Sequence, residues 1–309
     1  MQFFVGVTDN EWFRYLSELR PDEVNFWRPG GGSFQAVPIG APFLFKLHAP
    51  LNFIAGGGFF VRADRLPLTL AWETFGQKNG APSMTEFRNL IQARRRDTEP
   101  NPEIGCIILN EPFFWPEEWW IPAPGSWSKN IVVGKTYGTV EAVGRQIWQE
   151  VSKRLEGTGA WLAPEREASK SFEVSTGYGR DYLAKARLGQ GMFRLLVEDA
   201  YQKRCAMTGE KTRPVLQAAH IRPFNEAGPN RVENGLLLRS DLHILFDRGY
   251  ITVTPDHRIE VSGRLKEDFD NGREYYPLHG RRLLVLPANL SDRPAPEFIE
   301  YHNQRVFLG

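Results

Sequence analysis

Cysteine is nearly missing from this chain, with two in 309 residues, Cys106 and Cys205, far apart and in no Cys-x-x-Cys pair. That spacing argues against a disulfide framework and an all-cysteine zinc site, and it fits a reducing cytoplasm. No apolar run reaches the roughly 18 residues a membrane span needs, so no membrane association is expected. The opening MQFFVGVTDNEW lacks the basic start and apolar stretch of a secretory leader. Low-complexity tracts and internal repeats are missing too, which argues against fibrous and solenoid classes. Strong charge of either sign is also absent: 38 Lys and Arg stand against 37 Asp and Glu. A surface that binds nucleic-acid phosphates would therefore have to be a local patch.

What remains is the composition of a globular protein, 41% hydrophobic and 13% aromatic, long enough for two domains that each bury a core. Residues 1–155 read as β with inserted helices. Short apolar runs at 3–7, 23–27, 42–48, 53–63 and 104–114 alternate with glycine and proline. Residues 10–19 predict a helix with Asp9 or Asn10 as N-cap and Pro21 beyond its end. Residues 70–75 and 83–96 read as helices, the second capped by Ser83 with Glu86 three residues on. Many short strands with an aromatic interior predict a barrel. Residues 156–180 mix Gly, Pro, Ser and charge as a linker does, which leaves 181–309 as the second domain. There a helix is expected over 181–203, interrupted at Gly189-Gln190-Gly191. Strands follow at 215–220 and 235–238, then a helix from Asp241 to Phe246 behind Ser240, and a hairpin over 250–261.

Four of the six histidines fall between residues 220 and 279. His220 ends a predicted strand, Asn234 opens the next, and His243 stands on the following helix with Asp247 one turn later on the same face. Phosphodiester hydrolysis needs this mixture. An imidazole can take a proton from water near neutral pH, and an imidazole with a carboxylate can hold a cation against phosphate charge. An asparagine between them can tie down the intervening loop. His257 and His279 fit no such set. Arg222, Arg239 and Arg248 are candidates for binding DNA phosphates.

The stretch RLGQGMFRLLVEDAYQKRCAMTGEKTRPVLQAAHIRPFNEAGPNRVENGLLLRSDLHILFDRGYITV resembles the HNH nuclease domain of bacterial restriction endonucleases over roughly residues 185–285. The motifs R-x-G-Q-x-x-F-R, C-A-x-T-G, A-A-H-I, N-G-L-L-L and L-H-x-L-F-D-R-G stand in order. The resemblance implies a ββα-metal fold, a two-stranded ribbon followed by a helix. It implies His220 as general base, Asn234 as loop organiser, His243 as metal ligand and Asp247 as a further ligand. Many relatives place a ligand just before the base, where this chain has Ala219, so fewer protein ligands and more water are expected. That suits Mg²⁺ or Mn²⁺. Cys205 with Thr208 replaces the cysteine pair of other branches, so no structural zinc is expected.

The run FFVGVTDNEW…VNFWRPGG…PFLFKLHAPLNFIAGGGFF resembles the PUA-like superfamily and its EVE-type modules, small barrels that hold a modified base. The chain is therefore expected to be α+β, an N-terminal PUA-like β-barrel with helices and a C-terminal HNH domain. Together these resemblances imply a modification-dependent restriction endonuclease that recognises 5-methyl- or 5-hydroxymethylcytosine in double-stranded DNA. Asn25, Phe26, Trp27 and Trp72 are the candidate pocket residues, with Arg28 on the backbone and Arg94–Arg96 as a basic cluster. One site per chain makes a homodimer the simplest route to a double-strand break. Two other readings stay open: a nuclease with another target (phosphorothioate, sequence or structure), and a non-catalytic reader of modified nucleic acid.

Overall fold

The strands and helices of the first half are set by glycine contacts and helix caps that act over a few residues. The computed structural model describes residues 1–128, 130–157 and 189–309. It divides into two units, Met1–Arg187 and Leu188–Gly309. The first comprises β1 (Gln2–Thr8), α1 (Asn10–Leu19), β2 (Glu23–Arg28), β3 (Pro42–Leu47), β4 (Phe53–Pro67), α2 (Leu68–Phe75), α3 (Met84–Gln92), β5 (Glu103–Phe114), β6 (Ile121–Pro122), β7 (Gly134–Gly138) and α4 (Ala142–Gly157). Asp9 starts α1 by accepting from the Glu11 and Trp12 amides at 3.0 Å, and Ser83 starts α3 by accepting from the Glu86 amide at 3.2 Å.

The strands form one sheet in the order β2-β5-β4-β3-β1-β7, with β6 against β4. Among the described strand pairs of this sheet, β1 and β3 alone run parallel. Alternation along β3 sends Phe43 and Phe45 into one core and Leu44 into another. Trp12, Phe13 and Leu16 of α1 cover the first core, and Ile147, Val151 and Leu155 of α4 cover the second.

The sheet curls steeply at β4, whose register shifts between Gly57 and Phe59 and again between Phe60 and Arg62. A Cβ on Gly56 would lie 2.2 Å from the Phe113 carbonyl oxygen, and one on Gly57 would lie 2.7 Å from that of Phe43. Glycine is required there by strand approach, not by a turn. The curl brings Phe26 of edge strand β2 to 4.8 Å from the Phe43 ring and 5.5 Å from Trp12. The expected barrel is not formed, however: among the described residues the edge strands β2 and β7 do not pair, and the sheet stays open. Irregular chain after β2 fills that side instead. Phe34 packs at 5.0 Å against Phe4 of β1, and Thr136 of β7 donates to the Ala36 carbonyl at 3.4 Å.

In the second unit α5 (Gln190–Ala200) is followed by β8 (Leu216–His220), β9 (Gly235–Arg239), α6 (Ser240–Asp247), β10 (Ile251–Val253), β11 (Ile259–Val261), α7 (Arg264–Phe269) and α8 (Pro296–Arg305). The helix expected over 181–203 is described from Gln190, behind Gly189, and its earlier part lies outside the described residues, as does most of the expected linker. Phe193, Val197 and Tyr201, spaced at four residues, turn one face of α5 into the core. Glu198, fully buried on this helix, is paired by Arg194 at 3.1 Å and Arg213 at 2.7 Å. No described helix is long and apolar enough to cross a membrane.

The last helix locks the unit. His302 of α8 is 1% exposed and stacks on Phe246 with ring centroids 3.8 Å apart. Its Nε2 lies 3.1 Å from the Phe246 carbonyl oxygen, and its Nδ1 lies 2.7 Å from the Thr252 hydroxyl. A carbonyl only accepts, so Nε2 carries a proton. Burial pushes this histidine from 6.5 down to about 4, outweighing the Phe246 hydrogen bond and the Asp247 charge. The unfolded chain therefore binds the proton more readily than the fold. Stability from this group is full above the unfolded value and is lost as pH falls from about 6.5 through about 4. Chemical denaturation at pH 7 and pH 4.5 should show wild type losing about 1–3 kcal/mol more than His302→Gln. Equal losses in both would refute the assignment.

Candidate active site

β8 and β9 pair antiparallel with His220 opposite Gly235 and Leu216 opposite Arg239. α6 begins directly after Arg239, opposite the start of β8; His243 on it contacts Gln217 of β8, and the charges of Asp247 and His243 act on His220 at the other end of that strand. The pairing can be this tight at Gly235 because that residue has no side chain. A Cβ there would lie 2.6 Å from Val197 and 3.1 Å from Phe193. Tyr201, also on the buried face that α5 begins, donates from its hydroxyl to the Gly235 carbonyl at 3.1 Å.

His220 is half-buried, with its ring flat against Phe193 at 4.0 Å and 12° between planes. Its Nε2 lies 2.8 Å from Oδ1 of Asn230. Burial pushes its pKa below the ordinary 6.5. The Asn230 hydrogen bond and the Asp247 charge oppose that shift, while His243 adds to it. The imidazole is therefore neutral at pH 7, the state a base needs.

Asn234 is fully buried, and its amide is used completely. Oδ1 accepts from the Arg222 amide at 2.8 Å, while Nδ2 donates to the Arg222 and Pro229 carbonyls at 3.1 and 3.0 Å. Its contribution is to close the 222–229 loop beside His220, not to touch substrate.

On α6, Nε2 of His243 lies 3.2 Å from Oδ2 of Asp247, whose side chain is 56% exposed. Gln217 of β8 engages the other nitrogen of that imidazole, with Oε1 2.7 Å from Nδ1, which leaves Nε2 as the nitrogen that could face a cation beside Asp247. Among the described residues no group of three or more His, Cys, Asp or Glu is placed to hold a metal. Ala219, paired with Leu236, is fully buried and offers no ligand. One imidazole lone pair beside one solvent-facing carboxylate nevertheless fits a hard divalent cation that keeps most of its coordination for water and phosphate. Such a cation, when bound, would supply charge stabilisation to the phosphate and leaving oxygen.

The arginines differ in their availability. Arg239 gives its guanidinium fork to Asp241 at 2.6 and 2.7 Å. Arg222 donates to the Glu226 carbonyl at 2.8 Å and lies over the Tyr301 ring at 4.8 Å. Arg248 is exposed at the end of α6. Cys205 is buried, and its sulfur accepts from the Arg239 amide at 3.4 Å. Gln217, Asn230 and Phe193 are the neighbours that sequence reasoning missed. Each reaches its histidine from 10 or more residues away, so no local spacing announces them.

The first unit holds a separate cavity of about 530 Å³ lined by Trp12, Phe26, Trp27, Arg28, His48 and Arg94, among others. Arg94 is placed by Asp9, 2.6 Å from it, and lies over the Trp27 ring at 5.6 Å. The Trp27 indole donates to the Asn79 carbonyl at 2.8 Å. Two of the expected pocket residues do not line this cavity. Asn25 is fully buried with its amide on Asn79 at 2.8 Å and Cys106 at 3.3 Å, and Trp72 packs between helices at 5.9 Å from Phe87.

His220→Ala should lower cleavage roughly 10²- to 10⁴-fold while leaving DNA binding intact; substantial residual cutting refutes its role as base. His243→Ala and Asp247→Ala should shift the Mg²⁺ or Mn²⁺ titration, and an unchanged titration in both removes the metal assignment. The rising limb of kcat/KM against pH should fall below 6.5, since burial lowers the His220 pKa; a midpoint above about 7 contradicts it.

Among solved structures the chain is similar to a modification-dependent TagI restriction endonuclease, with 23% identity over 37% of each chain and a TM-score of 0.28. It is also similar to a mutant form of ZmASCH from Zymomonas mobilis, with 10% identity over 48% of this chain and 97% of that one, and a TM-score of 0.33. No curated protein matches. Residues 205–254, which contain His220, Asn234, His243 and Asp247, match the HNH endonuclease family, so the second unit carries an HNH endonuclease domain.

Proposed function

We propose that this protein is a modification-dependent DNA endonuclease. On this reading the first unit holds a modified cytosine, 5-methyl or 5-hydroxymethyl, and the HNH domain hydrolyses a phosphodiester bond of the same DNA with Mg²⁺ or Mn²⁺. The observation that carries the nuclease half is the meeting of a neutral, half-buried His220 with the His243–Asp247 pair on one ββα unit. In the reaction His220 takes the proton of the attacking water, His243 and Asp247 hold the cation, and Asn234 keeps the loop between the strands in place. Arg248, exposed at the end of α6, meets a phosphate.

Support for the reading half comes from the cavity of the first unit. Reading a base in full means taking it out of the stack, placing it against aromatic rings and testing its edge with polar groups. Trp27 is held at its indole nitrogen and under Arg94, so its ring is a fixed wall. Trp12 and Phe26 supply further aromatic surface, and Arg28 and His48 supply polar groups. With one HNH site per chain, a double-strand break would need two chains.

One DNA prepared unmodified, methylated and hydroxymethylated at cytosine tests both halves, with His220→Ala as the control for contaminating nuclease. Cutting only of modified DNA is expected. Equal cutting of all three keeps the nuclease and discards the modified-cytosine reader. Trp27→Ala should erase the preference while leaving cutting chemistry intact; survival of the preference removes Trp27 from the pocket.

A further inference from the structure

His220 is held more firmly than a catalytic histidine at the end of a short strand would be on its own. One face of the ring lies against Phe193, and Nε2 meets the side-chain oxygen of Asn230 at 2.8 Å. Asn230 is 8% exposed and directly follows Pro229, whose carbonyl accepts from Asn234 at 3.0 Å. Asn234 also bonds both the amide and the carbonyl of Arg222, at the start of the same loop. Both ends of the 222–229 segment are thus tied to one buried amide, and Asn230 is delivered to the imidazole by a closed loop.

An amide oxygen can only accept a hydrogen bond. Facing Oδ1, Nε2 of a neutral imidazole must carry the proton, and the lone pair then sits on Nδ1. We propose that Asn230 is a positioning residue whose side-chain oxygen fixes the Nε2–H tautomer of His220, so that Nδ1 is the atom that deprotonates the attacking water. This rests on the general-base assignment of His220. In the step, a water O–H proton passes to Nδ1, the water oxygen forms a bond to phosphorus, and the bond from phosphorus to the leaving oxygen breaks with its electron pair going to that oxygen. Nε2–H keeps its bond to Asn230 throughout, and the oxygen it faces stabilises the imidazolium that forms.

The test uses full-length protein and single-turnover cleavage of one DNA substrate at pH 8 with Mn²⁺. Asn230→Ala should slow cleavage roughly 10- to 100-fold. Asn230→Asp keeps an acceptor oxygen in the same place and should recover most of that loss. The Mn²⁺ concentration for half-maximal rate should stay unchanged in both, because His243 and Asp247 are untouched. Imidazole ¹⁵N spectra of the wild type should show protonated Nε2, with Nδ1 protonation growing in Asn230→Ala. A wild-type rate in Asn230→Ala, an Asp variant as slow as the Ala variant, or a protonated Nδ1 in the wild type would each overturn the proposal. If Asn230→Ala does not fold, the wild-type spectrum and the Asp variant still decide it. His220→Ala separates the two layers of the argument. If it cuts at the wild-type rate, the base assignment itself fails. If it is inactive while Asn230→Ala is unaffected, only the role of Asn230 fails.

Discussion

The amide of Asn234 is the interaction on which the rest of the site depends. It is buried, and a buried amide without partners carries a cost of about 1–3 kcal/mol for each orphaned group. Here both ends of the amide are satisfied by backbone of the intervening loop. An aspartate would lose the two donors, and an alanine would remove the side-chain partner of the Arg222 amide and of the Arg222 and Pro229 carbonyls. Only a side chain with an acceptor and two donors in one plane closes this loop. The neighbouring strand pair benefits directly, because Ile221 donates to the Asn234 carbonyl at 2.9 Å, just past the register that sets His220 opposite Gly235.

From that fixed point the two halves of the site acquire different environments. His220 faces inward, against Phe193, where desolvation favours its neutral form. The His243–Asp247 pair lies on α6 with the Asp247 carboxylate open to solvent. α6 is short, and its end is secured by the C-terminal segment. His302 bonds the Phe246 carbonyl, and Leu308 donates to the Gly249 carbonyl at 2.9 Å. A one-turn shift of α6 would break both bonds and leave a buried histidine without its acceptor. The terminal helix therefore acts on the His243–Asp247 pair through the backbone of the residue before Asp247.

Much of this was legible in the sequence where the cause is local. The caps Asp9 and Ser83 lie next to the helices they start, and the four-residue step from His243 to Asp247 places both on one face. The sequence reading put Asn25 and Phe26 in one pocket, but neighbours on a strand face opposite sides, and Asn25 is turned to Asn79 and Cys106. Gln217 and Asn230 were invisible because each acts on a histidine across a strand or a loop. β7 escaped notice because GKTYG has glycine at both ends and buries only Tyr137. The barrel failed to close because the segment carrying Phe34 takes the place of a final ladder, a choice made by packing between residues far apart in sequence.

The way the polar groups of the HNH domain are used bears on where sequence discrimination can reside. Arg239 is saturated by Asp241, Arg222 is held by the Glu226 carbonyl and Tyr301, and the Asn234 amide has no capacity left. Base edges are read by bidentate side chains with free donors and acceptors; Arg239 and Asn234 cannot offer them without breaking an internal bond, and Arg222 has its Nε engaged. Phosphate contact makes smaller demands: an exposed charge such as Arg248 suffices, and it carries no sequence information. On the proposed reading, selectivity comes from a separate surface whose polar groups are held in place. The cavity around Trp27 is where such groups gather: Arg94 is placed by Asp9 and the Leu90 carbonyl and lies over the Trp27 ring. On the proposed reading, the same economy of hydrogen bonds that makes the cutting site rigid also makes it dependent on a separate reader.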